Sequence, residues 1–180
     1  FLMGEAIALY EENYYLNMNA SQVSADNLLS LYENKQVDGV ILMEIYHNDS
    51  RVKLLRQYHH PFVMIGREEN DEGLSFIDID FEASIRKIFT YLVENGHHHI
   101  GLLAYPPMLY TNRYGPAVWL RKYYDQIQQE FQLPRIFTEV EISQKKMMEA
   151  TWHLLDEFPQ MTAIVSFNGD VTVGVFKALS

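Results

Sequence analysis

Six residues stand where polar side chains could converge on a small molecule: Asn19, Glu44, Arg67, Tyr105, Asn168 and Asp170. Each lies just beyond a short run of apolar, β-forming residues (14–18, 37–43, 62–65, 99–104 and 163–167). In open parallel sheets the carboxyl ends of strands are where loops and helix N-termini present donors and acceptors to one point. Arginine, asparagine and carboxylates can grip neighbouring hydroxyls, and a tyrosine offers a flat ring face. That is chemistry suited to holding a small polar molecule. Bland readings stand beside it: Arg67 opens a polar loop over 67–72 and could be a solvated cation. Asn168-Gly169-Asp170 could be a turn followed by a helix cap.

Chemistry of turnover has no comparable support. The chain has no cysteine, no Gly-x-Ser-x-Gly elbow, no phosphate loop ending Gly-Lys-Ser/Thr and no Gly-x-Gly-x-x-Gly fingerprint. No enzyme activity and no cofactor are expected. His97-His98-His99 and His59-His60 suggest a metal at first sight, but adjacent residues point to different sides and no His-x3-His spacing occurs. His97, after Gly96, is expected instead to bond the free carbonyls of the preceding helix. Met147-Met148 reads as core filling. The aromatic stretch 105–124, rich in Pro and Gly, reads as a lid-like loop or a contact between subunits, the lid being preferred.

The elements that would position these residues alternate between strand and helix. Strands are expected at 14–18, 37–43, 62–65, 76–79, 99–104, 137–142 and 163–167. The unbroken apolar runs among them suit strands buried on both faces of a parallel sheet. Ser24 caps a helix with Leu28, Leu29 and Tyr32 on one face, and Asp49 caps another with Val52, Leu55 and Tyr58 inward. The clearest helix covers 81–95, with Asp80 at its N-cap. Ile85, Ile88, Phe89, Leu92 and Val93 recur at three and four, and Gly96 stops it. Further helices are expected at 118–131, from Ser143 with Met147, Met148, Thr151, Leu154 and Leu155 inward, and from near Asp170 onward. Strands joined by helical crossovers imply an α/β fold. A doubly wound domain usually opens on a strand, whereas here a helix comes first, so the expectation is a module truncated at both ends.

Composition narrows the partners. The 180 residues are 48% hydrophobic and 21% charged, which is ordinary for a globular chain. No apolar run approaches the roughly 20 residues of a membrane span, and the opening Phe1-Leu2-Met3-Gly4-Glu5 does not read as a signal peptide. The net charge is −10, with 14 scattered basic residues. Affinity for DNA comes mainly from clustered Lys and Arg on phosphates, so this segment is not expected to bind nucleic acid by itself.

An ordered set of phrases points to one family: 37–42 (VDGVIL), 61–65 (PFVMI), Ile79-Asp80, Tyr91-Leu92 to Gly96-His97 with Ile100, then Pro159, Thr162-Ala163-Ile164, Gly174 and Ala178-Leu179. The set resembles the effector-binding region of lactose- and galactose-repressor-like transcription regulators. The resemblance implies two Rossmann-like lobes of the periplasmic-binding-protein type, with parallel sheets flanked by helices: residues 1–80 in the N-terminal lobe and 81–180 in an incomplete C-terminal lobe. It implies a mono- or disaccharide effector in a cleft, a homodimer, a cytoplasmic location, and operator DNA bound through an N-terminal headpiece outside this sequence. It also implies a C-lobe arginine, matched by Arg121 in preference to Arg113. Asn19 falls where relatives carry a polar cleft residue, Gly66 stands where they often have Asp, and Asn168-Gly169-Asp170 departs from their Asn-Asp by one position. The alternative is a sugar-binding protein of a transport system.

Overall fold

The computed structural model describes residues 2–19, 23–167 and 169–180. The chain divides into two compact units: residues 1–39 with 50–61, and residues 40–49 with 62–180.

The first unit is helical: α1 (Leu2–Glu11), α2 (Ala25–Glu33) and α3 (Ser50–Gln57). Ser24 caps α2 as its sequence predicts, its hydroxyl accepting from the Asn27 N–H. α2 packs on α3. Beyond them Tyr32 stacks on His60 at 4.1 Å and donates its hydroxyl to the Pro61 carbonyl at 2.5 Å. Burial pushes that phenol above its ordinary value. Two expectations fail here. Residues 14–18 form no strand, and Tyr15 is 90% exposed. Tyr58, expected inward, is 49% exposed.

The second unit carries two parallel sheets. In the first, β1 (Val40–Leu42), β2 (Phe62–Ile65) and β3 (Phe76–Ile77) run in that order, with Val40 opposite Phe62 and Met64 opposite Phe76. In the second, β4 (Ile100–Ala104) lies between β5 (Phe137–Glu139) and β6 (Ala163–Ser166). The helices of this unit are α4 (Phe81–Glu94), α5 (Pro107–Thr111), α6 (Gly115–Glu130), α7 (Gln144–Glu157) and α8 (Gly169–Leu179).

β4 is buried at every residue, and period-two alternation divides it between two cores. Ile100, Leu102 and Ala104 join Phe81, Ile85 and Phe89 of α4 and Leu120, Tyr124 and Ile127 of α6. Leu103 joins Ile136, Val140, and Met147 and Leu154 of α7. A continuous apolar run is what such a strand requires. α4 keeps its sequence-read boundaries: Asp80 accepts from the Ala83 N–H, and Gly96 follows at φ 84. Its Ile88, expected inward, is 37% exposed. The His97 main chain, not its ring, closes α4, its N–H donating to the Leu92 carbonyl, while its Nδ1 meets Thr162 Oγ1 at 2.9 Å.

The stretch read as a lid-like loop is mostly helix. Pro107 and Pro116 sit at the first turns of α5 and α6, where proline's fixed φ and missing N–H cost nothing, so residues that looked like loop markers are helix starters. α6 therefore begins at Gly115, earlier than expected.

α7 and α8 pack closely at Gly174, where a Cβ would meet the Gln144 carbonyl oxygen and, at 2.9 Å, Met147 Cβ. Gly174→Ala is expected to cost about 1–3 kcal/mol and lower the thermal midpoint by several degrees. Gly4→Ala, with nothing within 4 Å, should leave it unchanged or slightly higher. Paired melting curves followed by circular dichroism check both.

Candidate functional site

The site grows from the loop after β1. Glu44 takes a left-handed backbone, φ 54, and is exposed. Ile45 and His47 then tie the loop to the α5–α6 junction: the Gly115 N–H donates to the Ile45 carbonyl at 3.0 Å, and the His47 N–H donates to the Arg113 carbonyl at 2.8 Å. Tyr46 and Tyr114 form a single antiparallel bridge between these contacts. Only a glycine allows the approach, since a Cβ at 115 would meet the Ile45 oxygen at 2.9 Å and the Arg67 oxygen at 3.4 Å.

Around this bridge the rings of Tyr46, Tyr105 and Tyr114 assemble. Tyr114 lies 5.4 Å from Tyr46 and 5.9 Å from Tyr105, the latter edge to face. The Tyr114 hydroxyl donates to the Glu44 carboxylate. Burial first and the Glu44 charge second push the Tyr114 phenol well above its ordinary value, and the same two causes raise Tyr105. Glu44 and Tyr105, from the carboxyl ends of strands in different sheets, thus meet around Tyr114.

Arg121 lies one step away. Its guanidinium stacks over Tyr110 at 3.8 Å, faces Phe137 at 5.0 Å and pairs with Glu139 at the end of β5. Burial raises the Tyr110 phenol, with Arg121 opposing and Glu139 reinforcing. The rival arginine, Arg113, pairs with Glu69 at 2.6 Å.

Arg67 takes a different place. It lies 4.4 Å over the Trp119 ring and 3.9 Å from the Asp71 carboxylate, at the edge of a hollow of about 340 Å³ shared with Phe76, Asp78, Asp80 and Tyr123. Burial raises the Asp78 carboxyl, against the Ile79 N–H and the Arg67 charge. Gly66, before Arg67, has φ 111, a conformation that a side chain at this position would strain. Asn19 is exposed in the first compact unit. Asn168 lies outside the described residues. Asp170 falls in the first turn of α8, and its side chain also lies outside them.

Sequence reasoning missed the polar parts that hold the loops. Glu68, read as part of a solvated loop, is 6% exposed and accepts from the Asp49 N–H at 2.9 Å and the Asn70 N–H at 3.1 Å. The Asp49 carboxylate, expected as a helix cap, accepts from the Tyr46 N–H at 3.3 Å. His47 is buried against Trp119, ring centroids 4.8 Å apart, with Glu69 4.0 Å from its Nδ1. The burial of Glu68 and His47 has no local signal, because their partners Asp49, Trp119 and Glu69 are distant in sequence. Among the described residues no group of three or more His, Cys, Asp or Glu is placed to hold a metal ion.

Burial holds the His47 imidazole below its ordinary value of 6.5, Glu69 opposing and Arg113 reinforcing. The folded state therefore favours the neutral ring. Below 6.5 the unfolded chain takes up a proton that the folded chain refuses, so stability is lost as pH falls from 6.5 through the depressed folded value. His47→Phe should flatten the fall in denaturant midpoint between about pH 7 and about pH 5. An unchanged slope would assign the acid sensitivity to other groups.

Comparison with known proteins matches this architecture. The family model of periplasmic binding proteins and the sugar binding domain of the LacI family covers residues 4–180. The HTH-type transcriptional regulator CelR of Thermobifida fusca is 28% identical over 109 residues, 58% of this chain and 32% of that protein. A regulatory protein of the LacI family from Chloroflexus aggregans superposes with a TM-score of 0.84 at 28% identity, over 99% of this chain and 64% of that one. A transcriptional regulator CelR–cellobiose complex superposes at 0.79 with 21% identity, over 99% of this chain and 55% of that one, a likeness of fold. The matched segments span between about a fifth and a third of the length of the curated relatives. Two parallel α/β sheets and a family match across nearly every residue lead to one conclusion: this chain belongs to the family of periplasmic binding proteins and sugar-binding domains of LacI-type regulators.

Proposed function

We propose that this chain is the effector-binding part of a transcription regulator, and that its effector is a sugar. The observation that carries the reading is the meeting of Glu44 and Tyr105, from strand ends of two different sheets, around Tyr114. A carboxylate beside ring faces provides acceptors for hydroxyls and a flat surface for a pyranose. A transcriptional regulator CelR solved in complex with cellobiose shares this fold, which supports a sugar as the ligand class. The relatives compared above are transcription regulators, which favours that role over transport.

The mechanism is a two-state hinge between a lobe of residues 1–80 and a lobe of residues 81–180. A ligand touching strand ends of both sheets has more contacts in the closed arrangement, so it shifts the population toward closure. A coupling of about 1–3 kcal/mol changes DNA affinity about 5- to 150-fold, enough for a switch. DNA contact belongs to another segment of the whole regulator, because a net charge of −10 repels phosphates. A homodimer fits the same reading. Arg121, Arg67, Asn168 and Asp170 remain candidate ligand contacts. Arg121 would have to exchange its Glu139 pair for the sugar, or hold the ring of Tyr110 in place for it. Among the described residues no helix is long and apolar enough to cross a membrane.

Titration calorimetry with cellobiose, maltose, lactose and their monosaccharides tests the reading. At least one should bind, and Tyr105→Ala should weaken it about tenfold or more with the circular dichroism spectrum unchanged. Binding by none of them would remove the sugar assignment.

A further inference from the structure

We propose that His47 is a proton-operated latch on the hinge: its neutral ring lets the loop after β1 close on the α5–α6 junction, and its protonated ring drives them apart. The inference rests on the hinge reading above and adds its regulation; it does not depend on which effector binds.

Position is the first argument. The His47 main chain is itself one of the closing contacts, its N–H donating to the Arg113 carbonyl at 2.8 Å. Its side chain is 2% exposed and lies against Trp119 of α6, ring centroids 4.8 Å apart. Neither ring nitrogen has a hydrogen-bond partner among the described residues. Buried polar groups are nearly always paired, and an imidazole stripped of water at both nitrogens opposes the arrangement that buries it. Parting the junction returns those nitrogens to water. The penalty is far larger for the charged ring than for the neutral one.

Charge is the second argument. Glu69, from the loop after β2, lies 4.0 Å from Nδ1 and is the carboxylate nearest to an imidazolium, but Arg113 already holds it at 2.6 Å. Glu68 of the same loop also favours the charged ring, while Arg113 and Arg67 oppose it. The Trp119 ring is crowded with cations before any proton arrives: Arg67 lies 4.4 Å over it and Lys122 5.0 Å. A third positive charge on the same ring meets two like charges and no free partner.

The sign follows from linkage. In the open arrangement the hydrated ring titrates near its ordinary 6.5, and in the closed one burial holds it lower. Below that ordinary value the open form takes up a proton that the closed form refuses. Each pH unit then favours opening by up to about tenfold, until the closed form titrates too. Any effector that binds by closing the hinge loses affinity in acid by the same factor.

The test reads opening directly and needs no ligand. The chain has no cysteine, so dyes can be placed on Ser75→Cys, before β3, and Lys145→Cys, on α7, both exposed. Energy transfer between them reports the separation of the two sheets. Between about pH 7.5 and about pH 5 the separation should lengthen in one proton step with the circular dichroism spectrum unchanged. His47→Phe, or His47→Gln where the first does not fold, should abolish the step. Gly115→Ala, whose Cβ meets the Ile45 oxygen, should lengthen the separation at neutral pH and serve as the open reference. A response to Gly115→Ala but none to acid, or an acid step that survives without His47, overturns the latch and leaves the hinge standing. A lengthening that coincides with loss of the circular dichroism signal is unfolding and also overturns the latch. A separation unchanged both in acid and in Gly115→Ala overturns the latch and the hinge together.

Discussion

The approach of the α6 N-terminus to the loop after β1 is the constraint on which the site depends. Gly115 comes so near Ile45 that no side chain fits between them, and the hydrogen bond between their main chains holds this arrangement, the closed one on the proposed hinge. Once that distance is set, Tyr46 must lie against Tyr114, Glu44 must turn left-handed, and His47 must be buried against Trp119. Loops usually wander at strand ends. This one is held by main-chain bonds at both Ile45 and His47, and by the buried Glu68 carboxylate on the N–H of Asp49.

The two sheets supply the rigid frame for that junction. β4 is packed on both faces, so the position of Tyr105 just beyond it is determined by two hydrophobic cores rather than by its own loop. Arg121 is placed by α6, which buries Leu120 and Tyr124 beside it. Between these anchors the polar groups are paired with one another: Arg113 with Glu69, Arg121 with Glu139, Tyr114 with Glu44. On the proposed reading, a ligand entering here would exchange existing partners for new ones. Small differences in hydrogen-bond and charge complementarity then govern which ligand is accepted.

The fold was legible wherever local pattern and burial agree. The apolar run of β4, the caps of α2 and α4, and the period of α7 are written in adjacent residues and reappear in place. Residues 14–18 offer two tyrosines but no β-branched residue, and strand preference is realised through pairing and burial, which the exposed Tyr14, Tyr15 and Met18 lack. Pro107 and Pro116 misled in the opposite direction, because a proline that ends one helix can open another. Of the strand-end residues read as candidates, Glu44 and Tyr105 come together around Tyr114. The partners that give them meaning were hidden: Tyr114 is 70 positions from Glu44, and Glu139 is 18 from Arg121. Spacing carries no information about contacts made by crossovers between sheets.

That division has a consequence for how such a domain changes its ligand. Residues that build the frame sit in cores, where a change of volume costs several kcal/mol, about 2–5 for a buried leucine cut to alanine. Glu44, by contrast, is exposed, and its side chain can change while Ile45 and Gly115 keep the backbone in place. Specificity can therefore drift at the strand ends while the sheets stay constant. Conservation of fold alongside divergence of effector is the expected outcome when main-chain contacts position the site and side chains alone read the ligand.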